Sequence, residues 1–250
     1  MKILVISDIH GNASALKAVL DAEQDADKII FLGDALLSGP QANETITLLD
    51  DLSIDIAIMG NHDEEVLDPT IYAKWPPEWV ALNNWIVAQL DSGAGEKIKR
   101  FTRNGHYEIG GINLYLHHGQ LEKGEPAALP NALNATFKKL DPGNETNLVL
   151  FGHTHVQFQR QIGDRTYINP GSVGQPRCGR LHACYGVFID GVYSPRQVTY
   201  DPTPWLDALD KITPLKDFPD FHNWLREGLL TGYGIGEKEP WTGFAAEGYC

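Results

Sequence analysis

The stretch FGHTHVQ, residues 151 to 157, closes an apolar run and offers two histidines one residue apart. A lone histidine is more often a hydrogen-bonded core or surface residue than a ligand. Neutral imidazole is nevertheless the commonest biological metal ligand, and two imidazoles crowded together are costly once protonated. In an extended chain, side chains at i and i+2 point to the same side, so His153 and His155 are expected to face one space. Matching donors recur along the chain: Asp8 and His10 in SDIHGN, Asp34 in GD, Asn61, His62 and Asp63 in GNHD, and His117-His118 before Gly119. Each set closes an apolar run, and ordinary packing does not require Asp, His or Asn at all of these ends. The chemistry such a set can do is to hold divalent cations and the anion they attract.

The elements that must position these residues follow from periodicity. KILVIS reads as a buried strand, SALKAVLDA as a helix, KIIFLG as a strand, NETITLLDDL as a helix and IDIAIMG as a strand. This β-α-β-α-β opening predicts parallel strands with helices on the sheet, and ligands in such sheets gather outside the carboxyl ends of the strands. HYEIGGINLYLHHG predicts a hairpin turning at Gly110-Gly111, and a helix is expected around 127 to 140 before NLVLFGHTH. After residue 157 antiparallel strands follow, turning at Gly163-Asp164 and Asp190-Gly191, and these are expected to form a second sheet. The fold class is therefore α/β (α+β), a two-sheet core flanked by helices.

The domain is expected to span residues 1–200, with a helical insertion or cap over about 64–105 and a C-terminal extension, 201–250, packed on its surface. The insertion holds Tyr72, Trp75, Trp79, Trp85 and Phe101 around Pro76-Pro77. Its aromatics are expected to form a small core of their own, with a cap over the site as the alternative. The extension carries one expected helix around DFHNWLREGLL and nothing that looks catalytic.

The 250 residues carry 33 acidic against 20 basic side chains, a formal charge of -13, which argues against an extended nucleic-acid surface. A small phosphorylated substrate remains compatible if bound cations reverse the local field. No run of about 18 apolar residues exists, so no membrane span is expected. The N-terminus reads as a first strand rather than a signal peptide, and a cytoplasmic location is expected. The three cysteines, Cys178, Cys184 and Cys250, lack CxxC spacing and are read as reduced thiols.

In order, SDIHGN (7 to 12), GD (33 to 34), GNHD (60 to 63), HG (118 to 119), GHTH (152 to 155) and NPGSVGQPR (169 to 177) closely resemble the motifs of the calcineurin-like metallophosphoesterases, in particular their small bacterial and archaeal phosphodiesterase branch. The resemblance implies a β-sandwich flanked by helices, agreeing with the order of elements. It implies Asp8, His10 and His155 on one metal, Asn61, His118 and His153 on another, and Asp34 bridging both. His117 competes with His118, and the family's ligand immediately precedes glycine, which selects His118. Ions about 3.5–4 Å apart repel, and a shared carboxylate and hydroxide lower that cost. The resemblance further implies His62 as a catalytic group that is not a ligand, beside a hydroxide attacking in line, and Asp63 could hold its imidazole. Asn169 and Arg177 are the candidates for touching substrate, with a surface salt bridge as the competing reading of Arg177.

The protein phosphatase branch has GDxxDRG where this chain reads GDALLSGP, with Leu37 in place of the acid. That departure argues against a serine/threonine protein phosphatase and for a binuclear phosphoesterase of phosphodiesters, nucleotides or dinucleoside polyphosphates, with a phosphomonoesterase or protein phosphatase as the alternative. Mn is the preferred ion, with Fe, Zn, Ni, Co or Mg as alternatives. Two other classes stand beside this reading: a non-catalytic scaffold like the retromer subunit of this fold, which lacks the catalytic histidine, and a nucleotide sensor. Oligomeric state is left open.

Overall fold

In the computed structural model, which describes residues 1–143, 145–234 and 238–250, the apolar KILVI segment forms β1 (Lys2–Ile6) in the middle of a five-stranded sheet. A central strand is covered on both faces, which is why it reads as a continuous apolar run rather than an alternating one. It pairs in parallel with β2 (Lys28–Phe31), and β2 pairs in parallel with β3 (Ile56–Ala57). The connecting helices are α1 (Ala13–Ala22) and α2 (Ala42–Asp51), and Asn12 caps α1 by accepting from the backbone N–H of Ala15 at 3.0 Å.

The second sheet contains β4 (Gly105–Ile109), β5 (Ile112–His117), β6 (Leu148–Phe151), β7 (Gln157–Ile162) and β8 (Arg165–Pro170), in the order β4-β5-β6-β8-β7. All three hairpins turn where the sequence places them. The antiparallel strands do not, however, make a sheet of their own. β7 and β8 extend the second sheet, whereas β9 (Ala183–Ile189) and β10 (Val192–Val198) join the first through antiparallel pairing of β9 with β1. Hairpin pairing is a local property, but the sheet edge a hairpin joins is set by distant strands.

The two sheets face each other through alternate residues of the central strands. Ile3 and Val5 of β1 meet Leu114, Leu116, Leu150 and Ile168, while Leu4 and Ile6 point the other way, toward Leu16, Val19, Ile46 and Leu49 of the helices. Each such fully buried aliphatic side chain contributes ~1.5–3 kcal/mol of transfer free energy. The outer face of the second sheet is covered by Phe137 of α6 (Asn134–Lys138), against Phe151, Phe158 and Tyr167. That helix is five residues long rather than the segment expected over 127 to 140, because Pro130 interrupts it.

After α3 (Asn61–Leu67) the insertion forms α4 (Pro77–Gln89) and α5 (Ala94–Ile98). Its aromatics do not make a separate core. Tyr72, Leu82, Ile86 and Ile98 belong to the main helix-side core, and Phe101 meets Phe31 with ring centroids 5.6 Å apart. The extension holds more helix than expected: α7 (Thr203–Leu209), a 3-10 turn (Thr213–Asp217), α8 (Pro219–Thr231) and α9 (Trp241–Ala246). Phe221 and Trp224 of α8 contact Trp79 of α4 at 4.8 and 5.9 Å, so extension and insertion share a wall. No described helix is long and apolar enough to cross a membrane.

The reduced-thiol expectation is corrected. Cys178 and Cys250 are joined as a disulfide, and Cys184 Sγ lies 3.3 Å from Cys250 Sγ. Sequence spacing could not reveal this, because the extension returns across the domain before the cysteines meet.

A tight contact positions the loop after β1. A Cβ added at Gly39 would stand 1.8 Å from the carbonyl oxygen of His10, so the two backbones touch only because residue 39 is glycine. Gly39→Ala is therefore expected to cost ~1–3 kcal/mol of stability, read as a lower midpoint in urea unfolding; an unchanged midpoint would mean the contact is loose.

Candidate metal centre

The seven sequence-selected metal donors lie beyond strand ends, and five of them sit in a backbone conformation that side chains avoid. Asp8, His10, Asp34, His153 and His155 have φ between 48° and 67°. Left-handed backbone at residues other than glycine costs of order 1–3 kcal/mol each and persists where the surroundings over-determine it. Interlocked turns do so here: Asp8 N donates to Gly33 O, Ile9 N and His10 N to Asp34 O, and Gly152 N to His118 O, all at 2.7–3.1 Å. His153 and His155 thus do not converge by strand alternation, as an extended chain would have them do. β6 ends at Phe151, and the left-handed turn sends the two rings into neighbouring groups.

The first group contains Asp8, His10 and His155. His155 Nε2 is 3.4 Å from Asp8 Oδ1, and His10 Nε2 is 3.1 Å from His155 Nε2 and 3.8 Å from Asp34 Oδ2. The second contains Asn61, His118 and His153: Asn61 Oδ1 is 3.1 Å from His118 Nε2 and 3.0 Å from His153 Nδ1, and His118 Nε2 is 3.2 Å from Asp34 Oδ2. Asp34 lies between the groups and presents one oxygen, Oδ2, to both. Its other oxygen accepts from the backbone N–H of His62 at 2.8 Å, while Asp8 Oδ2 accepts from Ser7 Oγ at 2.6 Å.

Tautomers decide what these rings can bind. His10 Nδ1 is 3.0 Å from Leu37 O, His118 Nδ1 2.7 Å from Leu32 O, and His155 Nδ1 3.0 Å from Gln175 O. A carbonyl only accepts, so each Nδ1 carries a proton and each Nε2 points inward, offering a lone pair on the neutral rings of His10 and His155. His10 and His155 then face each other lone pair to lone pair at 3.1 Å, with the carboxylates of Asp8 and Asp34 beside them. Such a convergence of ring nitrogens and acceptor oxygens fits cations, and its mixture of nitrogen and oxygen suits divalent ones.

The electrostatics of these rings agree. Burial, then the nearby His155, lowers His10 to about 3, and burial, then His118, lowers His153 to about 3, so both stay neutral. Burial would also lower His118, but Asp34 and Asp8 overcome it and raise it to about 10. A proton there occupies the place a divalent ion would take, and metal binding would release it. His117 stands outside both groups, its Nδ1 accepting from Gly119 N at 2.8 Å.

His62 borders the centre on α3, its ring 5.1 Å from that of His10. Its Nδ1 is 2.7 Å from Glu65 Oε2, one helical turn on, and not near Asp63. The expectation that Asp63 holds the imidazole is thus corrected: its carboxylate accepts from the backbone N–H groups of Asp34, Ala35 and Gly60 at 2.8–2.9 Å, fixing the Asp34 turn to the start of α3. Burial opposes protonation of His62, but Asp34 and Glu65 raise its pKa nonetheless.

The expected substrate contact of Asn169 is also corrected. That residue is fully buried, donating to Gly152 O and Thr154 Oγ1 and accepting from Gly171 N, so it braces the GHTH turn and has no group left for a ligand. Arg177 does line the cavity, of about 300 Å³, that opens over the centre. It forms no ion pair among the described residues, which sets aside the salt-bridge reading, and its guanidinium lies 4.0 Å from the ring centroid of Trp241. Trp75, Trp79 and Gln175 line the same cavity. Of the residues not selected from sequence, Glu65 was findable as the i+3 acid after His62 on a helix; Trp241 carries no such signal.

Residues 1–188 match the calcineurin-like phosphoesterase superfamily domain. The chain belongs to that family. It is a metallophosphoesterase, a phosphoric ester hydrolase, and the family implies divalent metal ions. The chain is 29% identical to Escherichia coli phosphodiesterase YfcE over 205 residues, 78% of this chain and 90% of that one. It is also 29% identical to an uncharacterized protein of Methanocaldococcus jannaschii, over 92% of this chain and 98% of the other. A Sphaerobacter thermophilus metallophosphoesterase structure covers 86% of this chain and 98% of its own, at 26% identity and a TM-score of 0.67.

Asn169→Ala separates bracing from binding. The variant is expected to lose ~1–3 kcal/mol of stability, chiefly from the Gly171 N–H left unpaired, with KM for a diester changed by less than about threefold. A large rise in KM at unchanged stability would return Asn169 to the substrate.

Proposed function

We infer that this metallophosphoesterase hydrolyses a phosphodiester of a small, nucleotide-type molecule at a binuclear centre. The observation that carries the reading is the convergence of ring nitrogens with carboxylate and amide oxygens into two groups that share Asp34 Oδ2. Asp8, His10 and His155 would hold one ion, Asn61, His118 and His153 the other, and Asp34 both. Mn²⁺ is the preferred occupant because the donors are oxygen and nitrogen with no thiolate. When bound, such ions supply Lewis acidity toward the phosphoryl oxygens and a nucleophile at neutral pH.

The chain's own residues supply the rest. With Glu65 accepting from Nδ1, His62 keeps Nε2 for the substrate, and its raised pKa suits an imidazolium that gives a proton to the departing oxygen. Glu65 is a positioning residue, since it acts through His62. Arg177, lying against the ring of Trp241, offers a cation to a phosphate, and the indoles of Trp75 and Trp79 line the same cavity. A cavity of about 300 Å³ takes a small molecule rather than a folded protein, which disfavours protein phosphatase activity. The phosphodiesterase name of the Escherichia coli relative supports the diester preference.

His62→Ala is expected to retain two ions per chain by elemental analysis while turnover of an aryl phosphodiester falls about 10²–10⁴-fold. Asp34→Asn should empty both positions. An emptied centre in His62→Ala with two ions kept in Asp34→Asn would reverse the assignments. Chelator-stripped wild-type protein should regain activity with Mn²⁺ and favour the diester over the matching monoester; the opposite preference would move the reading to a phosphomonoesterase.

A further inference from the structure

The cavity has two unlike ends, and successive contacts along its wall give their order. Trp79 meets Trp75 with ring centroids 6.5 Å apart, Trp75 meets His62 at 5.9 Å, His62 meets His10 at 5.1 Å and His10 meets His155 at 4.9 Å. From His155 the wall continues through the Gln175 carbonyl, 3.0 Å from His155 Nδ1, to Arg177 and then Trp241. Along this succession of contacts the histidines of the centre come between two indoles of the insertion and an arginine backed by an indole of the extension.

These ends suit different chemistry. Trp75 and Trp79 line the cavity with indole rings on the His62 side, a surface on which an aromatic ring stacks. At the other end Arg177 lacks an ion pair among the described residues, and its Nε, like Nε2 of Gln175, is buried without a hydrogen-bond partner. Buried donors without acceptors are costly, and two on neighbouring cavity residues mark a place for an acceptor-rich group. The planar guanidinium fork matches phosphate, and the Trp241 ring lying against it restrains its orientation. Arg177 is lowered by burial only to about 10, so it stays cationic at neutral pH.

Resting on the phosphodiesterase reading above, we propose that the cavity selects a phosphodiester whose leaving group is a flat aromatic or nucleoside seated on Trp75 and Trp79, and whose other substituent carries a further phosphate held by Arg177 on Trp241. His62 stands at the indole end, so the leaving oxygen lies on that side. Water is the co-reactant: its oxygen bonds to phosphorus, the bond from phosphorus to the aromatic-side oxygen breaks, His62 protonates that oxygen, and the proton of the water is released to solvent. A cavity of about 300 Å³ is at the low end of small-molecule sites, so one ring and two phosphates fill it, and anything longer extends into solvent.

The test uses Mn²⁺-loaded full-length protein and thymidine 5′-(p-nitrophenyl phosphate) with and without a 3′-phosphate, which share one scissile bond. Wild type is expected to favour the 3′-phosphorylated diester by about tenfold or more in kcat/KM, carried by KM. In Arg177→Gln and Trp241→Ala that ratio should fall toward one; Trp75→Leu should raise KM for both probes and keep the ratio. Calorimetry gives a readout free of turnover: thymidine 3′,5′-bisphosphate should bind more tightly than thymidine 5′-monophosphate, and the difference should vanish in Arg177→Gln. A wild-type ratio near one, or a ratio that survives both Arg177→Gln and Trp241→Ala, with bis(p-nitrophenyl) phosphate still hydrolysed, overturns the two-ended site and leaves the phosphodiesterase standing. No turnover of any diester with two ions bound overturns the phosphodiesterase reading and this one with it.

Discussion

His10 and His155 face each other with no proton to share, and the rest of the centre is arranged around that unfavourable contact. Their Nδ1 protons are committed to backbone carbonyls, so neither ring can turn to relieve it. The surrounding oxygens of Asp8, Asp34 and Asn61 also accept rather than donate. Only positive charge reconciles these groups, whether a proton on His118 or divalent ions with stronger fields. The left-handed backbone at five donors belongs to the same account. Turns that bring acceptors so close are disfavoured locally and are held by hydrogen bonds reaching between strand ends.

The two-sheet architecture makes the convergence geometrically available. One sheet delivers Asp8, Asp34 and Asn61 from β1, β2 and β3, and the other delivers His118, His153 and His155 from β5 and β6. Because β1 to β3 and β5 to β6 run parallel within their sheets, these ends lie on one side of the core, and the layer of Ile3, Val5, Leu114 and Leu116 fixes the sheets against one another. Asp63 adds a clamp of another kind. Its carboxylate binds three backbone N–H groups, tying the start of α3 to the turn that carries Asp34.

How much of this was legible follows from the range of the interactions involved. Strand ends carrying Asp, His and Asn could be read in order, because strand periodicity and the donors beside it are local. The two-sheet core and the hairpin turns were legible for the same reason. The role of Asp63 was not, since sequence adjacency to His62 suggested a contact that helical geometry assigns to Glu65. Asn169 looked like a ligand group because it begins a motif, whereas its burial depends on how Gly152 and Gly171 fold around it. Trp241 and the Cys178–Cys250 link depend on the path of the extension after Val198, and the intervening sequence has no local pattern that dictates its return.

That return path bears on how such a protein can change over generations. The Asp, His and Asn residues gathered at the strand ends constrain one another: moving one displaces backbone that several others need. Trp241 lies beyond the segment that matches the family domain, on a short helix that closes one flank of the cavity. Substitutions there alter the cavity wall without touching the crowded centre. Lineages sharing the same hydrolytic core could therefore diverge in what they accept through drift in a peripheral segment, with little selection against the intermediates.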